Sequence, residues 1–439
     1  MLVPVLSTTE PGFRAAFDAL RRRTQSDQRV EAEARAIVER VRRGGDRALL
    51  ELTRKFDGVR LTARQLLVPR SEWEAALRSL SGMQRRALQT AAKRIETFHR
   101  KQREQSWSYR DPLGLTLGQR VAPLERVGIY VPGGHAAYPS SVLMNAIPAR
   151  VAGVRQILMA TPSGPDGPDP AVLAAAALAG VDAVYRIGGA QAIAAFAYGT
   201  ETIPKVDKIT GPGNAWVQAA KRLVYGAVDI DGVAGPSEVL VIADDSADPA
   251  YVAADLLAQA EHGSGDETAL LLTDCRAHAW AVQAEIARQL ALLPRRKEIS
   301  RVLARGAALI VVRDMEEAVA LANEVAPEHL EVMVARPRTL IPKLRNAGAL
   351  FVGAFSPAPL GDYVAGPNHV LPTGATARFF SPLGVYDFVK RTSLVWATRR
   401  ALERLAPVVS TLAHMEGYEA HAAAVRARLD GRRPAGKRR

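Results

Sequence analysis

The stretch RVGIYVPGGHAAYPSSVLMNAIPARVAGVRQILMATP, residues 126–162, decides the fold class. Its apolar runs RVGIYVP and QILMATP predict strands, and SSVLMNAIPARVAG between them predicts a helix capped by Ser140 or Ser141. The alternation continues with the strands AVYRI and VDKITG and the helices PAVLAAAALAG, AQAIAAFAYG and NAWVQAAKRLVYG. Strands that alternate with such helices predict a parallel sheet covered on both faces.

A second run with the same alternation follows a division near DGVAGPS, residues 231–237. Its predicted strands are SEVLVIAD, TALLLT, AALIVV, HLEVMV and GALFVG, and its helices are 249–262 and MEEAVALANEVA. The first hundred residues and those beyond about 380 have helical spacing instead. The sequence therefore predicts an α/β protein with two parallel-sheet units and helical N-terminal and C-terminal segments.

The composition narrows the class of protein. The chain has 439 residues, of which 48% are hydrophobic, enough for two to three domains. No apolar stretch reaches about 18 residues, and the N-terminus lacks a basic segment followed by an apolar one, so we expect a cytoplasmic protein without membrane spans. The single cysteine, Cys275, excludes an internal disulfide and a cysteine-built zinc site.

The net charge of +13 suggests a possible nucleic-acid partner. Residues 426–439 hold seven Lys or Arg and one Asp, so +6 of the +13 belongs to this tail. Aromatic residues make up only 6% of the chain, which leaves little for stacking on bases. We expect a solvated, frayed tail and no specific nucleic-acid partner.

The segment LLAQAEHG, residues 256–263, ends the predicted helix 249–262. Gln259 and His262 are three residues apart and share one face of its last turn. A metal could bind there, but a histidine near a helix C-terminus is also favoured by the helix dipole alone. Spacing does not decide between these interpretations.

The segment APEHLE sets Glu328 beside His329 between a helix and a strand. Adjacent residues on a regular strand point to opposite faces, so both could serve one substrate only on a bend, which Pro327 makes plausible. An adjacent carboxyl group and imidazole would suit two separate proton transfers. A surface Glu beside a His that starts a strand explains the pattern equally simply.

Two further segments carry candidate polar groups. The loop LGDYVAGPNHVLPT holds Asp362, Asn368 and His369, although turn-forming residues also explain such a loop. The segment HMEGYEAH holds His414, Glu416 and His421. On one continuous helix Glu416 and His421 would lie on different faces, so either a helix begins near Gly417 or the two have different functions.

Four loops next to predicted strands are rich in Gly and Pro: VPGGHAAYPSS (131–141), RIGGAQA (186–192), TGPGNA (210–215) and AGPSE (234–238). Such loops let a phosphate approach the backbone, and a following helix N-terminus offers free N–H groups. Ordinary strand-to-helix turns explain them equally well. Neither the dinucleotide fingerprint nor the P-loop motif is present.

Together, these segments resemble the histidinol dehydrogenase family over residues 8–430. The resemblance rests on eight segments in the family's order: RVGIYVPGGHAAYPSSVLMNAIPARVAGV, RIGGAQAIAAFAYGT, ITGPGNAWVQAAKR, AGPSEVLVIAD, DLLAQAEHG, APEHLE, GDYVAGPNHVLPT and EGYEAH. It implies two incomplete Rossmann-like domains without the glycine fingerprint. Only His135, at a variable loop position, and the tail after about residue 430 depart from the family pattern.

The resemblance implies one zinc ion per subunit, held by four ligands: Gln259, His262, Asp362 and His421. It implies that zinc orients the substrate rather than ionising water. The implied reaction converts L-histidinol to L-histidine through a bound aldehyde, with two NAD and one water. His329 would act as base in both oxidations, and Glu328 would activate the water.

The resemblance also implies the remaining contacts. Substrate-binding positions are Ser237, Gln259, His262, Glu328, His329, Asp362, Glu416 and His421, and His369 resembles a further one. NAD-binding positions are Tyr130, Gln191 and Asn214. A homodimer is implied whose C-terminal segment completes the partner's site, so that Glu416 and His421 would act across subunits.

The resulting domain prediction has four parts: an N-terminal helical arm (1–24), a main α/β domain with the zinc and catalytic residues (25–125 together with 236–380), an NAD-binding α/β domain (126–235) and a helical C-terminal segment with a basic, disordered end (381–439).

Three rival functions are a paralogue that oxidises another amino alcohol or polar diol, an aldehyde dehydrogenase with Cys275 as nucleophile, and a nucleic-acid binder. Cys275 has no histidine at an obvious partner position in the sequence, so we expect an inert thiol.

Overall fold

The computed structural model describes residues 3–21, 28–133 and 137–430. His135 and the basic tail beyond residue 430 therefore lie outside the described residues. The chain divides into a main unit, residues 1–102 and 124–388, and a second unit, residues 103–123 and 389–439.

The strands, in chain order, are β1 (Val5–Ser7), β2 (Trp107–Arg110), β3 (Thr116–Pro123), β4 (Arg126–Tyr130), β5 (Gln156–Thr161), β6 (Ala183–Arg186), β7 (Lys208–Thr210), β8 (Asp229–Ile230), β9 (Glu238–Ala243), β10 (Thr268–Thr273), β11 (Ala307–Val311), β12 (His329–Met333), β13 (Ala349–Val352) and β14 (Val389–Trp396).

The helices are α1 (Phe13–Arg21), α2 (Gln28–Phe56), α3 (Ala63–Leu66), α4 (Arg70–Ser79), α5 (Gly82–Arg100), α6 (Pro139–Ala152), α7 (Pro170–Ala179), α8 (Gly189–Tyr198), α9 (Ala215–Val224), α10 (Pro249–Ala260), α11 (Arg276–Leu290), α12 (Arg296–Gly306), α13 (Met315–Val325), α14 (Pro337–Leu340), α15 (Ala358–Leu360), α16 (Arg399–Met415) and α17 (Glu419–Asp430).

The main unit contains two parallel sheets, as predicted. The five-stranded sheet has the order β6-β5-β4-β7-β8, and the six-stranded sheet has the order β1-β11-β10-β9-β12-β13. Apart from β1, each sheet follows the order 3-2-1-4-5, which is the Rossmann order without its sixth strand. The prediction of two incomplete Rossmann-like sheets is confirmed.

Each parallel sheet is buried on both faces because alternate side chains of its strands enter different apolar clusters. Val127 and Ile129 of β4 pack with α6 and α7, while Tyr130 packs with residues of α8 and α9. In the six-stranded sheet, Val241 packs with α10 and α11, and its neighbour Ile242 packs with α13. Because these clusters cover both faces of each sheet, a ligand can approach the sheet only at the ends of its strands.

Some local predictions are wrong. The N-terminal arm contains the strand β1, which pairs with β11, and the C-terminal segment begins with the strand β14, which joins β3 and β2 in an antiparallel sheet of the second unit. Helix α6 starts at Pro139, so Ser140 and Ser141 lie inside it rather than at its cap. Strand β1 has only three residues, too few to show an alternation in the sequence.

The prediction places residues 25–125 in one domain with residues 236–380. The helices of residues 28–100 pack against the other α/β unit instead. Helix α2 contacts α8 and α9, α4 contacts α7, and α5 contacts α6. They therefore cover the five-stranded sheet. Within the described ranges, none of the helices combines the length and apolarity needed to cross a membrane.

Candidate active site

Glu328 and His329 lie where the chain turns from α13 into β12. The turn is made by Ala326, whose φ of 51° is in the left-handed region, followed by Pro327. His329 is the first residue of β12, and the side chains of Glu328 and His329 are 6% and 4% exposed. The bend brings Glu328 Oε2 to 3.6 Å from His329 Nδ1, so the two adjacent groups do share one site.

Backbone and hydroxyl donors hold the carboxyl group of Glu328. Its Oε2 accepts a hydrogen bond of 3.0 Å from the backbone N–H of Glu238, and Ser237 also hydrogen-bonds the carboxyl group. Burial raises the pKa of Glu328, more strongly than the charge of His329 lowers it. A carboxyl group with a raised pKa suits proton transfer at neutral pH.

The imidazole of His329 is fixed at both nitrogens. Nδ1 donates to the backbone carbonyl of Glu238 at 3.1 Å, and Nε2 lies 3.3 Å from Oδ1 of Asp362. Burial alone would lower the pKa of His329, but Glu328 and Asp362 outweigh it and raise the pKa to about 9. The charges of Glu328 and Asp362 thus favour the protonated form of this imidazole.

Asp362 lies in the helical turn Gly361–Ala365, and two histidines accompany it besides His329. His369 donates from Nδ1 to the backbone carbonyl of Asp362 at 2.8 Å, and its Nε2 lies 3.3 Å from the hydroxyl of Ser141. Burial would raise the pKa of Asp362, but His329, with His369 and His262, lowers it. An ionised carboxylate surrounded by imidazoles is a suitable ligand for a cation.

Gln259 and His262 close the C-terminal end of α10, whose start is capped by Asp248. Gln259 is buried, and its amide Nε2 has no hydrogen-bond partner. His262 donates from Nδ1 to the carbonyl of Gln259 at 3.1 Å, which leaves the lone pair of Nε2 available. The amide oxygen of Gln259 and the free imidazole nitrogen of His262 are atoms that could ligate a metal here, whereas the unpaired Nε2 of Gln259 is a hydrogen-bond donor.

Glu416 and His421 belong to the second unit. Gly417, with a φ of 76°, separates α16 from α17, so the two residues are on different helical segments, one of the two alternatives left open by the sequence. Both side chains are exposed, and the centroid of the His421 ring lies 5.0 Å from that of the Tyr418 ring. Across the residues that the structure covers, no three His, Cys, Asp or Glu side chains gather tightly enough to hold a metal.

A cavity of about 910 Å³ opens at the carboxyl ends of β4 and β7, where the strand order of the five-stranded sheet reverses. Tyr130, Gln191 and Asn214 all line it, together with Gly133 and Trp216. The carboxyl edge at a reversal of strand order is where open α/β sheets bind nucleotides. The volume suits a ligand of that size.

The lining residues leave room and donors for a nucleotide. Tyr130 accepts a hydrogen bond of 3.0 Å from the backbone N–H of Gly189, at the start of α8, and burial raises its pKa to about 12. Asn214 caps α9 by accepting from Val217 N–H at 3.1 Å. The amide Nε2 of Gln191 is buried without a partner. Gly211 has a φ of 116°, and a Cβ there would lie 2.0 Å from the carbonyl oxygen of Tyr130.

A smaller cavity of about 100 Å³ is lined by Ser237, Glu328 and His369. It lies at the amino ends of β9 and β12, not at their carboxyl ends, so the six-stranded sheet presents its polar residues at the edge opposite to the usual one. Sequence reasoning did not identify Glu238 or Ser141, which hold His329 and His369. Their contacts go through backbone atoms or across 228 residues, and no spacing pattern signals them.

The profile of the histidinol dehydrogenase family matches residues 20–429. The chain belongs to the histidinol dehydrogenase family. The histidinol dehydrogenases of Syntrophotalea carbinolica and Nitrosomonas europaea are each 52% identical to it, over 98% and 96% of this chain and 99% and 98% of their own. The crystal structure of histidinol dehydrogenase from Elizabethkingia anophelis superimposes with a TM-score of 0.91 at 37% identity, covering 97% of this chain and 98% of that one.

Membership in the histidinol dehydrogenase family makes the chain an oxidoreductase. Its only cysteine, Cys275, is half-buried at the start of α11 and does not line either cavity described above. A thiol in that position is remote from the chemistry of Glu328 and His329, which argues against a cysteine nucleophile.

Proposed function

We propose that this chain oxidises L-histidinol to L-histidine by the reaction implied by its family, the last step of histidine biosynthesis. The first oxidation takes a hydride from the carbinol carbon to NAD and releases one proton, giving the aldehyde. Water then adds to the aldehyde. The second oxidation takes a hydride from the hydrate carbon to a second NAD and one proton from a hydrate hydroxyl, giving the carboxylic acid, which then loses its own proton. The observation that carries the proposal is the convergence of the buried Glu328 and His329 with the half-buried Asp362 in one cluster.

In the proposed mechanism His329 accepts the hydroxyl proton at Nε2 in each oxidation, because Nδ1 donates to the carbonyl of Glu238. Glu328 takes a proton from the water that attacks the aldehyde. Its raised pKa makes it a stronger base than an ordinary carboxylate once ionised. Ser237 and His369, which line the same small cavity, contact the substrate.

Zinc would be held by Gln259, His262 and Asp362, with His421 as the fourth ligand. The free Nε2 of His262, the amide oxygen of Gln259 and the ionised Asp362 make a nitrogen and oxygen donor set that suits this ion. When bound, the ion would anchor the amino and imidazole nitrogens of histidinol. NAD would occupy the 910 Å³ cavity against Tyr130, Gln191 and Asn214.

The experiment that tests the reaction measures NADH formed per L-histidinol consumed, before and after chelation and with zinc added back. Two NADH per histidinol, lost on chelation and restored by zinc, would support the whole proposal. A zinc-loaded protein that leaves histidinol untouched would refute it in favour of another amino alcohol. If Cys275→Ala abolished turnover, the cysteine-nucleophile alternative would replace it.

We further propose a cytoplasmic homodimer in which Glu416 and His421 serve the partner's site. Co-expression of His329→Asn with His421→Asn tests this. If His421 acts across subunits, each mixed dimer has one intact site, and a random mixture recovers about a quarter of wild-type activity. If His421 acts within its own subunit, no site is intact and no activity returns.

A further inference from the structure

A pair of buried carboxyl groups, Asp255 and Glu331, lies behind the candidate active site. Asp255 is on α10 and is 9% exposed, and Glu331 is on β12 and is 1% exposed. Their side chains lie within hydrogen-bonding reach of each other. Two buried acids in contact require an explanation, because burying an ionised carboxylate without a partner is costly.

The hydrogen-bond inventory of Glu331 shows that the pair shares a proton. Its Oε1 accepts from the backbone N–H of Ala358 at 2.9 Å, while its Oε2 has no N–H or hydroxyl donor. An ionised carboxylate can only accept, so Oε2 and Asp255 can bond only if one of the two acids is protonated. Burial, followed by the charge of Asp255, raises the pKa of Glu331 to about 9. Burial raises the pKa of Asp255 as well, so the two acids meet with at least one of them protonated.

This carboxyl pair connects the three elements that carry the predicted site residues. Asp255 precedes Gln259 by about one helical turn on α10. Glu331 follows His329 by two residues on β12, so both side chains point to the same face of the sheet. Ala358 opens the short helical segment that leads to Asp362. Helix α10, strand β12 with the proposed base His329, and the turn that contains Asp362 therefore meet at this one buried pair.

We propose that Asp255 and Glu331 are positioning residues, which hold α10 at a fixed distance from β12 and from the Asp362 turn. This inference rests on the proposed function for the identity of the ligands that are being positioned. A carboxyl–carboxylate pair suits the task because its length and direction are fixed, whereas apolar side chains in the same place could slide.

Three variants separate positioning from simple packing. Glu331→Gln keeps both contacts, since the amide oxygen accepts from Ala358 and the amide N–H donates to Asp255. Glu331→Met fills the same space and removes both contacts, leaving Asp255 buried and unpaired. Asp255→Leu combined with Glu331→Met removes both acids together, which restores stability without restoring a directional contact.

We expect Glu331→Gln to keep kcat/KM for histidinol within about threefold and Glu331→Met to lower it about 10- to 100-fold, because small displacements of reacting groups are costly. Zinc transfer to a chelator should accelerate about tenfold in Glu331→Met and remain slow in Glu331→Gln. The double variant should recover the Tm of the wild type and stay impaired in both other measurements. NAD affinity should not change in any of them.

Two results would overturn the inference. One is a double variant that regains turnover and zinc retention together with its Tm, which would make the pair a packing feature only. The other is Glu331→Gln as impaired as Glu331→Met. The zinc measurement does not use histidinol, so a wild-type protein that holds zinc but ignores histidinol would refute the proposed substrate while leaving the positioning test intact.

Discussion

Nε2 of His329 lies 3.3 Å from Oδ1 of Asp362, so the proposed base and a proposed metal ligand are hydrogen-bonded to each other. Nδ1 of His329 already donates to the carbonyl of Glu238, so in this pairing both ring nitrogens carry protons. A base needs a free lone pair. His329 can therefore accept a proton only when Asp362 pairs with another cation instead. A bound metal would provide that cation.

Asp362→Asn tests this exchange. The amide is a weaker ligand and cannot neutralise a cation, so we expect zinc content to fall and kcat/KM for histidinol to drop by about 100-fold or more. NAD binding should persist because the 910 Å³ cavity does not include Asp362. Bound zinc per chain and NADH formation are the measurements.

The matched control for Asp362→Asn is Asp274→Asn. Asp274 is exposed and follows β10, at the carboxyl end of a strand in the same sheet. It should change neither zinc content nor turnover. Full zinc content and full turnover in Asp362→Asn would contradict the assignment of Asp362 as a ligand.

Gln191→Ala addresses the nucleotide cavity. The buried amide of Gln191 lacks a partner, so a bound nucleotide would supply the missing hydrogen bond. We expect KM for NAD to rise about tenfold, since a buried hydrogen bond contributes about 1–2 kcal/mol, while KM for histidinol stays unchanged. Steady-state kinetics with each substrate varied in turn gives both values.

Gln283→Ala is the control for that substitution. Gln283 is a glutamine on α11 whose amide donates to the carbonyl of Val3 and does not line the cavity. Both KM values should stay at the wild-type level. An equal rise in KM for NAD in the two variants would show that lost stability, rather than a lost contact with NAD, causes the effect.

Glu238 provides a prediction for pH. Burial, followed by the charge of Glu328, raises its pKa from 4.5 to about 8. Between these values the folded protein binds one proton more than the unfolded chain, so this group's contribution to stability is complete below pH 4.5 and is lost as the pH rises to 8. The slope for one such group is about 1.4 kcal/mol per pH unit.

In Glu238→Gln this contribution is absent, so the free energy of unfolding should fall less between pH 5 and pH 8 than in the wild type, by about 3–4 kcal/mol. Urea unfolding at several pH values measures it. Glu316→Gln, at an exposed carboxylate, should show the wild-type slope. Parallel curves for Glu238→Gln and the wild type would mean that Glu238 is ionised in the folded protein.

The sequence was sufficient for the repeated βα units because their strands are fully buried and their helices are long. Val127, Ile129 and their neighbours form continuous apolar runs that have one interpretation. The edge strands β1 and β14 were missed because their pairing partners, β11 and β3, are distant in the chain. Local spacing contains no information about such partners.

The candidate site could be predicted only in part for a related reason. Family resemblance supplied Glu328, His329 and Asp362, whereas the residues that hold them act through backbone atoms or through shared protons. Glu238 contacts His329 by its carbonyl oxygen, which any residue type could provide. Glu331 did carry a signal that went unused: a charged residue in an otherwise buried strand needs a buried partner.

Glu328→Gln separates the two oxidations. In the proposed mechanism Glu328 acts only when water adds to the aldehyde, while His329 acts in each hydride transfer. The glutamine can still accept from the backbone N–H of Glu238, so the local fold is preserved. Steady-state kcat should fall by about 10²- to 10⁴-fold, the usual contribution of a general base. In a single turnover, the first NADH should form at close to the wild-type rate and the second should be strongly delayed. Rapid-mixing absorbance of NADH resolves the two phases, and His329→Asn, which should slow both, is the comparison. If Glu328→Gln slowed the first phase as much as the second, Glu328 would have to act in the alcohol oxidation, and the division of roles between these adjacent residues would be wrong.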